Sequence, residues 1–227
     1  MRVKALIFDV DGTLAETEGV HLQAFNAAFA EFGLDWHWSH SQYLELLRVT
    51  GGKERIAHYI TDDLKLDIAD WRGVIPDLHA CKTRHYVRLI ERGEIALRPG
   101  VADLIARAKQ AGLVTAIATT TSRANIDSLI KAVWGCPAEE IFPVIACGDE
   151  VAHKKPAPDV FELALSRLGL DAADCLAFED STNGLKSARA AGLKTIVTPS
   201  AYGLSRDFDG AALLVADLSG FDWRSHL

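Results

Sequence analysis

From residue 99 onward one arrangement of apolar positions repeats: a segment of helical spacing, a glycine, then a short β-branched run. Val101, Leu104, Ile105 and Ala108 share one helix face after Pro99, Gly112 stops the helix, and 113–118 follows as a buried strand. Phe161, Ala164, Leu165 and Leu168 align in the same way ahead of Gly169, and a strand at 175–178 comes next. A third helix over 182–191 ends at Gly192 and feeds a strand at 194–197. With 3–8 and 143–146 this makes five short strands, and 213–215 supplies a sixth. Strands alternating with helices of this length predict an α/β protein built on a parallel sheet.

Residues 16–94 break that rhythm. They contain no strand pattern and read as helices near 18–33, 40–48, 52–61 and 70–92, with Gly51-Gly52 as a break in the middle. The expected organisation is therefore a sheet-bearing core of residues 1–15 and 95–227 and a helical insertion of residues 16–94 between them.

Composition narrows the classes of function. At 227 residues, 49% hydrophobic and 24% charged, the chain can bury a core and is neither disordered nor fibrous. A net charge of −7 gives no electrostatic reason to bind a nucleic acid or an anionic membrane. Cys81, Cys136, Cys147 and Cys175 form no C-x-x-C pair and sit among apolar neighbours, as reduced thiols do. The apolar run at 3–8 is too short for a signal peptide, and no later stretch has the length of a membrane span. A soluble, cytoplasmic monomer acting on a small molecule is expected.

In an open parallel sheet ligands bind outside the carboxyl ends of the strands. Those ends are polar here. The first delivers Asp9-Val10-Asp11-Gly12-Thr13, the second Thr119-Thr120-Thr121-Ser122, the third leads to Lys154-Lys155-Pro156, and the fourth gives Glu179-Asp180-Ser181. Taken singly, each has an ordinary explanation: a turn for the D-x-D-G segment, a helix N-cap for Thr119, a loop for Lys155-Pro156, helix-terminal charge for Glu179-Asp180. Taken together and in this order, they assemble what phosphoryl transfer requires. Clustered carboxylates repel one another and recruit a hard divalent cation, for which Mg²⁺ is the expected choice. A phosphate held by that cation, by Lys155, by the Thr119 hydroxyl and by backbone N–H groups of the Gly12 turn completes the set.

Asp9-Val10-Asp11-Gly12-Thr13, Thr119, Lys155 and Glu179-Asp180 resemble the four ordered motifs of the haloacid dehalogenase superfamily of phosphotransferases. The segments at 11–18, 51–55, 119–125 and 155–159 resemble more narrowly its CbbY branch, sugar-phosphate phosphatases related to β-phosphoglucomutase. The resemblance implies a Rossmann-like core with a helical cap inserted after the first strand. It also implies a mechanism: Asp9 attacks phosphorus to give an aspartyl-phosphate, while Asp11 protonates the leaving oxygen and then deprotonates water. Asp9, Asp180 and the backbone carbonyl of Asp11 would hold Mg²⁺, with Glu179 either a further ligand or a support behind the ligands.

Substrate choice is expected to lie in the insertion. Lys53 and Arg55 follow the Gly51-Gly52 break and, with Arg123, are candidates for a second phosphate. Glu16 and His21, on the hinge side of the cap, are candidates for sugar hydroxyls, and Thr120 and Ser122 line the second strand end. The CbbY resemblance implies a ketose bisphosphate such as xylulose 1,5-bisphosphate, an inhibitor of the carbon-fixing enzyme Rubisco, so that the task is metabolite repair. A phosphosugar mutase, a phosphoglycolate phosphatase and a non-catalytic sugar-phosphate-binding protein are the alternatives.

Overall fold

Ala-Leu-Ile-Phe is apolar at every position and forms β1 (Ala5–Phe8), buried throughout as the centre of a parallel sheet must be. The computed structural model describes residues 3–93, 95–203 and 207–226. Around β1 it arranges β2 (Val114–Ala118), β3 (Val144–Ala146), β4 (Cys175–Glu179), β5 (Lys194–Val197) and β6 (Leu213–Leu214). The order is β3-β2-β1-β4-β5-β6 and every pairing is parallel, so the α/β, Rossmann-like sheet expected from the sequence is present. Chain direction across the sheet reverses at β1, which puts a crevice at its carboxyl end.

The alternation of side chains assigns the two faces. Leu6, Phe8, Ile117, Leu176 and Phe178 point to one face, where α5 (Val101–Gln110) and α6 (Arg123–Trp134) cover them. Phe8 stacks on Phe178 with ring centroids 4.6 Å apart. The other face carries small residues, Ala5, Ala116, Ala118, Ala146 and Ala177, which admit Val160, Phe161 and Ala164 of α8 (Asp159–Leu168). A short α7 (Ala138–Ile141) and α9 (Thr182–Ala190) complete the layers. The three-helix reading overlooked α6, although Ile126, Leu129 and Ile130 have helical spacing and Gly135 ends the helix in the left-handed region.

Between β1 and α5 lie α1 (Glu18–Glu31), α2 (His40–Leu46), α3 (Gly52–His58) and α4 (Val74–Arg92). They bury a hydrophobic cluster of their own, built on Phe25, Phe29, Trp38, Tyr43 and Tyr59. The helix expected over 52–61 changes at Tyr59–Asp63 into a π-turn, and the one expected from 70 begins at Val74, after a separate 3₁₀ turn at Ile68–Asp70. Pro76 accounts for the later start, since a proline is accommodated in a first helical turn and not deeper. Residue 94, the last of the expected insertion, is outside the described residues.

The two chain crossings run side by side. Ala15 bridges Leu97, and the Arg98 amide donates to the Leu14 carbonyl at 2.8 Å. The Arg98 guanidinium then donates to the carbonyls of Gly12, of Thr198 (2.7 Å) and of Pro199 (2.9 Å), tying both crossings to the loops after β1 and β5. All four cysteines are free, and among the described residues no helix is long and apolar enough to cross a membrane.

Candidate active site

The ends of β1 and β4 are adjacent, so Asp9 and the pair Glu179-Asp180 meet, and the loop before α8 brings Lys155 between them. The Lys155 ammonium donates to Asp9 Oδ1 and Glu179 Oε1, both at 2.6 Å, and to the Ala118 carbonyl at 2.9 Å. Asp9, Lys155 and Glu179 are all buried. The second Glu179 oxygen accepts from the Asp180 amide at 3.1 Å and from the Ser181 hydroxyl at 3.3 Å. Two glycines make room for this packing: a Cβ on Gly184 would collide with the Glu179 carboxylate, and one on Gly12, which is left-handed at φ +82°, with the Asp180 carboxylate.

Three carboxylates share one cation here. Burial, reinforced by Glu179, pushes Asp9 up to about 7 against the pull of Lys155. Burial and its neighbours Glu179 and Asp9 raise Asp180 well above the usual carboxylate range. Burial alone would lower Lys155, but Asp9 and Glu179 outweigh it and hold the ammonium charged.

Asp11 faces another way. Its Oδ1 accepts from the Thr17 hydroxyl at 2.5 Å and contacts His21 Nε2 at 2.9 Å. Burial would raise its pKa, yet His21 and Thr17 hold it well below the ordinary value, so Asp11 rests as a carboxylate. Behind it, Lys82 Nζ lies 2.6 Å from His21 Nδ1, and Tyr86 stacks on the imidazole. An ammonium donating to Nδ1 leaves the Nε2–H to donate to Asp11. Burial pulls Lys82 down to about 7, against the pull of Asp11.

These groups open onto a cavity of about 390 Å³ between the strand ends and the inserted helices. Of the residues singled out from the sequence, Asp9, Asp11, His21, Arg55, Thr119, Thr120, Ser122, Lys155 and Asp180 line it. Four lie elsewhere. Glu179 is sealed beneath Lys155. Glu16, offered as a hydroxyl acceptor, pairs with Arg98 at 3.3 Å and accepts from the Ser200 hydroxyl at 3.1 Å. Lys53, offered as a phosphate cation, is half exposed and faces Asp149 at 3.6 Å, and Arg123 pairs with Asp127 and Glu139. In both cases a nearer carboxylate takes the charge. His21 lines the cavity but turns its ring to Asp11, and Arg55 lines it while donating from Nη1 to Tyr43 Oη (3.1 Å) and from Nε to the Leu46 carbonyl (3.2 Å).

The cavity also has walls that sequence reading missed: Arg48, His79, Lys82, Asn183 and Lys186. Burial and the nearby cations Lys82 and Lys53 push His79 down to about 3, which makes it a neutral imidazole. Asn183 reaches across to the inserted helices, donating to the Arg48 carbonyl at 3.2 Å and to Thr50 Oγ1 at 3.0 Å. The inserted segment thus brings Arg48, Arg55 and Lys82 to the wall facing the strand ends, and the floor is rich in carboxylates.

Asp9, Glu179 and Asp180 each bring a carboxylate oxygen within 4.8 Å of the others, an all-oxygen set that suits a hard cation. Both Glu179 oxygens already accept hydrogen bonds, and one Asp9 oxygen accepts from Lys155.

Comparison with known proteins agrees with this geometry. A family model described as "Hydrolase: haloacid dehalogenase-like hydrolase" matches residues 3–192. Protein CbbY of Rhodobacter capsulatus is 59% identical over 219 residues, 96% of this chain and 95% of that protein. Two crystal structures of CbbY from Rhodobacter sphaeroides, one in complex with phosphate and one of a variant in complex with xylulose-(1,5)bisphosphate, superpose with a TM-score of 0.90 at 49% identity, covering 96% of this chain and 95% of those. A β-phosphoglucomutase from Clostridium difficile shares the fold alone, with a TM-score of 0.82 at 17% identity over 98% of this chain and 95% of that one. The chain is a phosphatase-type hydrolase and belongs to the haloacid dehalogenase-like hydrolase family.

Proposed function

We propose that this chain is a Mg²⁺-dependent sugar-phosphate phosphatase that works through an aspartyl-phosphate on Asp9, with a ketose bisphosphate of the xylulose 1,5-bisphosphate type as substrate. The convergence of Asp9, Lys155, Glu179 and Asp180 at the mouth of a cavity with a cationic far wall supports this reading most directly. The complex of the 49% identical CbbY with that bisphosphate supports the choice of substrate. Helices α1–α4 serve as the cap over residues 16–94, and the core comprises residues 1–15 and 95–227.

Asp9 attacks phosphorus in line, and Lys155, in contact with the attacking carboxylate, offsets the charge that builds on the transferring group. Thr119, buried at the end of β2, orients a phosphoryl oxygen. Asp11 must carry a proton to release the sugar oxygen, and the Lys82–His21 chain supplies it: one proton moves from Nζ to Nδ1 while the Nε2 proton moves to Asp11. Asp11 then stands as the base for water in the second half-reaction. Asp9, Asp180 and the Asp11 carbonyl would hold the cation. When bound, Mg²⁺ supplies charge neutralisation and orientation for the phosphoryl oxygens.

Phosphate release from sugar mono- and bisphosphates is the test of this function. The expected result is highest kcat/KM on a pentulose bisphosphate, with EDTA abolishing release and Mg²⁺ restoring it. Full turnover in metal-stripped buffer, or a uniform response to unrelated phosphate esters, would contradict the reading.

The distal phosphate is assigned to Lys186, an exposed lysine of α9 that lines the cavity, in place of Lys53. Lys186→Ala should lower kcat/KM for a bisphosphate by roughly ten- to a hundredfold, the worth of one charge-assisted contact, and change p-nitrophenyl phosphate hydrolysis by about twofold or less. Lys53→Ala should change neither by more than about twofold, because Lys53 lies off the cavity lining and faces Asp149. Kinetics of the two variants on both substrates decide between these cations.

A further inference from the structure

Away from the carboxylate floor, a second cluster of metal-ligating side chains sits where the end of α1 meets α4. Glu31, Cys81 and His85 each place a ligand atom within 4.8 Å of the other two. Cys81 and His85 are one turn apart on α4, so their side chains project from the same face, and Glu31 is the last residue of α1. His85 Nε2 lies 2.8 Å from Glu31 Oε2. Cys81 is backed by the aromatic cluster of the inserted helices, while Glu31 is exposed and His85 partly so, which leaves one side of the cluster open to solvent.

We propose that Glu31, Cys81 and His85 form a second cation site, for a borderline divalent transition metal such as Zn²⁺, with water as the fourth ligand. The donor set argues for this class: thiolate, imidazole and carboxylate from three side chains, with one position left for solvent, are what tetrahedral Zn²⁺ or Co²⁺ takes. Mg²⁺, which requires oxygen ligands, is excluded, so the two sites differ in chemistry as well as in place. Binding breaks the Cys81 S–H bond, forms a metal–sulfur bond and sends one proton to the buffer, and neutral His85 carries its remaining proton on Nδ1 so that Nε2 can ligate. Thiolate and Glu31 carboxylate then balance the ion's two charges. Arg84 contacts the other Glu31 oxygen, at 3.3 Å, and holds the carboxylate in place. Burial and Glu31 push the Cys81 thiol up to about 11, so the ion competes with a firmly held proton and its affinity is moderate. An ion held by both helices would brace α1, which carries His21, against α4, which carries Lys82.

Co²⁺ is the probe, because a thiolate–Co²⁺ bond gives near-ultraviolet charge-transfer absorption that oxygen ligands do not. The full chain is titrated with Co²⁺ in excess Mg²⁺. The expected result is a charge-transfer band saturating near one equivalent, removed by Zn²⁺, lost in Cys81→Ser and weakened at least tenfold in affinity in His85→Ala. Asp180→Asn, which alters only the carboxylate floor, should keep the band. His85→Ala, on the partly exposed side, covers the case in which Cys81→Ser fails to fold. Absence of the band in the unaltered chain, or its survival in Cys81→Ser or at full affinity in His85→Ala, would overturn the site. None of these outcomes depends on phosphatase activity, so the site and the proposed function stand or fall separately.

Discussion

Replacing Asp9 by Asn is expected to lower kcat by at least roughly 10⁴, the scale on which loss of a covalent nucleophile acts, while leaving the fold intact. The amide keeps the shape of the carboxylate, and its oxygen can still accept from Lys155, which retains Glu179 as a charged partner. Stability should hold or rise, because burial already pushes the Asp9 carboxyl up to about 7 and a neutral group relieves the crowding of three carboxylates. Phosphate release and thermal unfolding of the variant check both halves. Activity near that of the unaltered chain would remove Asp9 from the mechanism.

Lys155→Met should damage both stability and catalysis. The side chain is buried and neutralises Asp9 and Glu179 at once, so its loss leaves two carboxylates facing each other without a cation. Breaking a buried pair from one side costs about 3–5 kcal/mol. The methionine restores volume, which confines the loss to charge. In the presence of saturating Mg²⁺ part of the stability should return, since an added cation can neutralise the same carboxylates, whereas kcat should stay down by roughly 10³ for want of the group beside the attacking oxygen. Chemical denaturation with and without Mg²⁺, paired with kcat, tests this. Unchanged stability would mean that Lys155 balances no buried charge.

Much of this site was legible in the chain because its residues stand at the ends of strands. Glycine-terminated helices and short apolar runs marked where β1, β2, β4 and β5 lie, and the polar residues after each had to converge once the sheet was parallel. What stayed hidden depends on contacts distant in sequence. Glu16 and Arg123 read as available charges, and only the fold brings Arg98 to the one and Glu139 to the other. Lys82 was passed over although a signal existed: it falls in the buried stripe of α4 between Leu78 and Tyr86, where a lysine needs a partner. That partner, His21, is 61 residues away. The π-turn at Tyr59–Asp63 has no such signal, since the apolar spacing there continues as in an ordinary helix.

The central claim is that the phosphoryl group passes through Asp9. Rapid acid quench of a single turnover with a sugar bisphosphate, followed by borohydride reduction and peptide mass analysis, examines that atom directly, because an acyl phosphate is reduced to homoserine and a free carboxylate is not. The account predicts reduction at position 9 alone, in step with the pre-steady-state phase and absent without Mg²⁺. Phosphate release at full rate with no reduction at position 9 at any quench time would contradict it.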